Sequence, residues 1–150
     1  MTHEDAGHYA KKHQGIEIDK TIGEKLKNNS KDKKISCPAM HLVATELSVT
    51  PEKTGIQADL LELRLNHCQL GLFGWDNSPS GKLPPGKLID KTIQISDSLE
   101  KELQTAVIDN RITCIKAWDV AKKLKMKRVD VASACEKRGI KIKKCQLGAF

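Results

Sequence analysis

The string Cys68-Gln69-Leu70-Gly71-Leu72-Phe73 returns 77 positions later as Cys145-Gln146-Leu147-Gly148-Ala149-Phe150. The same offset carries Cys37 to Cys114, Val43-Ala44 to Val120-Ala121, Leu47 to Leu124, Ile35 to Ile112 and Leu26 to Leu103. Residues 16–73 align with 93–150 without a gap, giving 14 identities in 58 positions. Six of these fall in the closing string and one equally spaced cysteine, a clustering that chance rarely produces. The chain therefore reads as two copies of one small module, and each module must supply its apolar core from about 58 residues.

Periodicity within the copies predicts helix, short strand, helix-turn-helix, strand. In the second copy, Leu99, Leu103, Ala106 and Val107 mark one face of a helix starting near Ser98. Arg111 to Cys114 is short and β-leaning. Ala117, Val120, Ala121 and Leu124 form a second helical stripe, Lys125-Met126-Lys127 makes a turn, and a third helix runs from about Arg128 to Arg138. Gly139 closes that helix as a left-handed cap, and Ile140-Lys141-Ile142-Lys143 alternates as a half-buried strand. In the first copy, Thr50 is an N-cap and Pro51 suits the first helical position. Residues 74–92 carry Asn77-Ser78-Pro79-Ser80-Gly81 and Pro84-Pro85-Gly86, which is linker chemistry. Residues 1–15 are polar and read as a flexible arm.

Charge is distributed unevenly between the copies. Residues 1–75 hold 10 basic and 10 acidic side chains, so the formal +7 of the chain arises entirely from residues 76–150. Within 110–150 there are 12 basic and 3 acidic residues, a local +9. Such asymmetry is the electrostatic footprint of a half that binds a polyanion. Aromatics amount to only 3% of the chain, too few for the base-stacking surfaces of single-strand binders. No run approaches the length of a membrane helix, and Met1-Thr2-His3-Glu4-Asp5 lacks a signal-peptide pattern. Five cysteines, an odd number, point to a reducing cytoplasm rather than a disulfide framework.

From Val120 to Val131 the second copy carries a helix-turn-helix signature: a small Ala121 where helices cross, an apolar Met126 in the turn, and β-branched Val131 in the next helix. With its repetition, and with the Cys-Gln-Leu-Gly-x-Phe strings, the chain resembles small prokaryotic proteins built from tandem helix-turn-helix units and loosely associated with molybdate-responsive repressors. The resemblance covers residues 16–150. It implies a mostly α fold with short β-strands, built as two tandem winged-helix-like (helix-turn-helix) repeats, 16–73 and 93–150. The second would end in a truncated wing.

A winged-helix reading assigns DNA contact to the third helix of the basic copy. If Val131 and Cys135 face inward, Lys127, Asp130, Ser133, Ala134 and Lys137 face outward. Lys127 and Arg128 lie at the helix start that enters a major groove, small Ser133 and Ala134 allow close approach to base edges, and Asp130 can accept from a cytosine amine. Lys141, Lys143 and Lys144 would add phosphate contacts. The first copy has Thr50, Lys53, Ile56, Gln57 and Leu60 at the equivalent positions. Its Ile56 and Leu60 suit packing or a homodimer interface better than DNA. The expected function is a cytoplasmic regulator binding double-stranded DNA. The alternative is an adaptor that docks on a partner protein or carries metal.

Cys37 and His41, four apart on a helix, with His67-Cys68 at the module's end, supply two thiolates and two imidazoles, a tetrahedral zinc set. That set requires the two strands of the module to run parallel, or a looped arrangement, since antiparallel strands would separate Cys37 from Cys68. The competing reading makes the cysteines small core residues, so no cofactor is expected. His3, His8 and His13 in the arm are five apart. No phosphate-binding glycine loop, nucleophile elbow or zinc-protease pair is present, so no enzyme is expected.

Overall fold

Every helix and strand of the first repeat begins again 77 positions later in the computed structural model, which describes residues 9–75 and 86–150. The first repeat holds α1 (Lys20–Asn28), β1 (Lys34–Ser36), α2 (Cys37–Leu47), α3 (Pro51–Leu60) and β2 (Arg64–Asn66). The second holds α4 (Asp97–Ala106), β3 (Arg111–Thr113), α5 (Cys114–Leu124), α6 (Arg128–Lys137) and β4 (Lys141–Lys143). The described chain is mostly helical, with strands of three residues each. None of its helices is long and apolar enough to cross a membrane.

Side-chain caps start five of the six α-helices. Asp19 and Ser96 accept from Ile22 N and Leu99 N, Ser36 and Thr113 from Ala39 N and Lys116 N, and Thr50 from Lys53 N. Each satisfies one backbone donor that the first helical turn leaves over. The fourth helix begins at Asp97, one residue before Ser98, because its cap Ser96 precedes the first buried leucine. Left-handed residues recur in register too. Asp32 and Asp109 have φ of 52° and 51°, Ser48 and Lys125 both 53°, and His67 and Lys144 48° and 52°. Such non-glycine conformations each cost on the order of 1 kcal/mol, so the packing of each module enforces them.

The strands pair in parallel: Ile35 lies opposite Leu65 in one sheet, and Ile112 opposite Ile142 in the other. A parallel pair needs a long crossover, and here two helices provide it. A wing is an antiparallel hairpin after the third helix, and the described residues contain none. The truncated-wing expectation gives way to a parallel β-α-α-β unit.

Two compact units do not follow the repeat boundaries. Unit 1 comprises residues 1–67 together with Gln146–Phe150, and unit 2 comprises Cys68–Cys145. Each unit thus contains the closing string that sequence order assigns to the other copy. In unit 2, Leu70 is fully buried in a cluster with Leu99, Leu103, Ile112, Ala117, Val120 and Val131. In unit 1, Leu147 is buried, with its backbone against Gly55 of α3. Burial of one leucine contributes about 1.5–3 kcal/mol, so each string is a substantial part of the core it joins. The sequence copies 16–73 and 93–150 and the compact units are cut at different residues.

The described parts of the arm and linker make specific contacts. Tyr9–His13 forms a 3-10 turn seated on α3, with Tyr9 buried. Glu62 accepts from the backbone N–H groups of Tyr9 (3.1 Å) and Ala10 (2.9 Å), and His13 Nε2 meets Asp59 Oδ2 at 2.7 Å. His3 and His8 lie outside the described residues, as do 76–85 of the linker. After that gap, Leu88 N donates to Gly71 O, Ile89 is buried, and Asp90 N donates to Ser133 Oγ. Residues 86–92 are therefore part of unit 2 rather than a spacer.

Candidate nucleic-acid interface

The corner between α5 and α6 gathers positive charge because its apolar and basic residues alternate. Leu124 and Met126 turn inward and are half-buried, while Lys122, Lys123, Lys125, Lys127 and Arg128 are exposed. Lys125 is the left-handed residue that ends α5, its N–H bonded to Lys122 O. Lys127 starts α6 without a side-chain cap, where Thr50 caps α3 in the first repeat. Arg128 lies 3.6 Å from the centroid of the Trp118 ring, a cation–π contact that holds the guanidinium at the helix start. Lys123 pairs with Glu102 at 2.8 Å, so part of its charge is offset within the unit. At the end of β4, Lys141 and Lys144 are exposed and Lys143 is half-buried.

The equivalent corner of unit 1 carries none of this charge. Positions 45, 46, 48, 50 and 51 are Thr45, Glu46, Ser48, Thr50 and Pro51. Glu46 itself pairs with Lys25 at 2.6 Å. Five cations at one corner face one acid and no cation at the other.

The middle of α6 departs from the expected recognition face. Val131 and Cys135 point inward as anticipated, but Ala132, Ser133 and Ala134 are buried as well. Five consecutive buried residues span more than one helical turn, so this stretch has no open side. Ser133 is 1% exposed, and its hydroxyl accepts from Asp90 N, which removes it and Ala134 from any base edge. Asp130 is half-buried, and exposed Lys137 donates to Ile93 O at 2.9 Å. In unit 1, Ile56 and Leu60 are half-buried rather than exposed, and Gln57 is buried, accepting from Asp19 N and donating to Glu17 O. The docked Tyr9 turn occupies part of α3, so this helix offers little free apolar surface for a dimer.

The topological condition of the zinc set is met. The strands are parallel, yet no three Cys, His, Asp or Glu residues among those described gather closely enough to hold a metal. Burial pushes the Cys68 thiol up, and it pushes Cys135 up to about 11. In the metal-free protein both burial effects favour the neutral thiol over the nucleophilic thiolate.

Sequence reasoning missed the role of the small residues. Ser133 and Ala134, whose small size had suggested close approach to DNA, are buried within unit 2, and Gly55 of unit 1 makes room for the backbone of Leu147. No protein-family profile, curated protein or solved structure matches the chain.

Proposed function

We propose that the chain is a cytoplasmic DNA-binding regulator that engages double-stranded DNA through the α5–α6 corner of unit 2. The observation that carries this reading is the set of five exposed cations between Lys122 and Arg128, absent from the equivalent corner of unit 1. The helix-turn-helix order within each repeat supports this reading, although the flanking strands pair in parallel rather than as a wing. Phosphate contacts dominate such binding: Lys122, Lys125, Lys127, Lys141 and Lys144 act as backbone anchors, and Arg128 is the residue best placed for a base edge. Because the centre of α6 is closed, direct base reading is confined to the helix start, and sequence preference is weak.

Fluorescence anisotropy with duplex DNA, titrated against salt, tests this reading. The expected log–log slope is about −3 or steeper. The Lys122→Ala, Lys125→Ala, Lys127→Ala variant should flatten it by about 2–3 units, since each lost phosphate contact removes roughly 0.9. Arg128 is left in place because its removal would also disturb packing on Trp118. Absence of binding at low salt, or a slope unchanged in the variant, rejects the proposal.

A further inference from the structure

The two units treat one groove differently. In unit 2, Leu72, Lys87, Glu136, Gly139, Ile140, Lys141 and Ile142 line an open hollow of about 460 Å³. That is within the size range of ligand pockets. In unit 1 the equivalent of Glu136 is Asp59, and that of Gly139 is Glu62. These are the two carboxylates that hold the Tyr9–His13 turn. The apolar equivalents Leu63, Leu65 and Ala149 are buried there, whereas Ile140, Ile142 and Leu72 are only half-buried in unit 2. Where Tyr9 stands before the first repeat, position 86 before the second is a glycine. The chain thus provides its own occupant for one groove and, among the described residues, none for the other.

We propose that the open groove of unit 2 docks a short helical turn of a partner protein carrying an aromatic residue and, four positions later, a basic residue. That is the chemistry of Tyr9 and His13. The aromatic ring covers Leu72, Ile140 and Ile142, and the basic side chain takes Glu136 as His13 takes Asp59. Glu136 is available for this exchange, since its present partner Lys87 is 3.8 Å away and half-exposed. The one feature of the unit 1 groove that is missing is the acceptor for the turn's first N–H groups, because Glu62 has become Gly139. Lys141 borders both this groove and the proposed DNA surface, but the groove is argued from its own residues, and either proposal can fail alone.

A fluorescein-labelled peptide of residues 5–15 is the probe, measured by polarisation against the full-length chain. Saturable binding is expected, and it should be lost with Leu72→Arg and with a peptide in which the tyrosine is alanine. Gly139→Glu should tighten it about tenfold or more by restoring two charge-assisted hydrogen bonds. The change suits the backbone, as Glu62 adopts φ 55° at the equivalent site and Gly139 φ 69°. Glu136→Gln should weaken it several-fold. Hydrogen exchange should show protection at residues 136–142. Failure of both the parent and Gly139→Glu to bind overturns the proposal. So does binding indifferent to Leu72→Arg, or protection confined to residues 54–65, which would mean that the peptide has replaced the chain's own turn.

Discussion

The carbonyl of Leu147 occupies the space beside Gly55 that a side chain at that position would fill. Position 55 must be glycine because the closing string of the second repeat lies directly on α3. Gly55→Ala should therefore displace Gln146–Phe150 from unit 1 and cost about 1–3 kcal/mol or more, the usual range for overpacking a core. Urea unfolding would measure it. A neutral result would mean that the string does not pack on this helix.

Exchange of the closing strings makes a crossed prediction about Leu70 and Leu147. Leu70→Ala should lower amide protection in unit 2, although residue 70 belongs to the first repeat. Leu147→Ala should lower it in unit 1. Each loss should be about 2–5 kcal/mol, as for other buried leucines. Hydrogen exchange resolved by segment distinguishes this pattern from the uncrossed one.

The cysteines should separate by reactivity. Cys145 is half-buried and the other four are buried. Cys135 is also held protonated up to about 11. With a neutral thiol reagent at pH 8, Cys145 should be modified first, and Cys135 should react only on unfolding. Peptide mapping over time checks the order, and early labelling of Cys135 would contradict the packing of α6.

Asp59 ties the amino-terminal turn to pH. Burial pushes its carboxyl above the ordinary aspartate value, while the hydrogen bond and charge of His13 pull it back down. The folded chain holds this proton more tightly than the unfolded chain. Stability should consequently fall as pH rises from the ordinary aspartate value to the raised one, and level off above it. His13→Ala should raise the Asp59 value further and extend that decline upward in pH. Asp59→Asn should abolish this component. Carboxyl NMR titration and unfolding midpoints between pH 3 and 7 would show both.

Much of the local structure was legible because local chemistry decides it. Thr50 and Pro51 start α3, Lys125-Met126-Lys127 is the turn, and Gly139 follows α6, all as the residues predict. What escaped is non-local. A three-residue strand carries too little pattern to fix its direction, so the parallel pairing could not be read. A closing string fits either of two similar cores equally well by sequence, so its exchange was invisible. Ser133 and Ala134 look alike whether they face DNA or another stretch of chain, and only burial separates the cases. The charge of the basic corner, by contrast, was plain, since lysines alternating with Leu124 and Met126 cannot all turn inward.

Exchanged closing strings also bear on how such a chain can evolve. A single ancestral module with this architecture would have had to borrow its last piece of core from a second molecule, and any substitution would have appeared on both sides. Joining the copies in one polypeptide keeps the mutual dependence but lifts that constraint. Glu62 and Gly139, or Thr50 and Lys127, can then diverge one at a time on two copies of one scaffold.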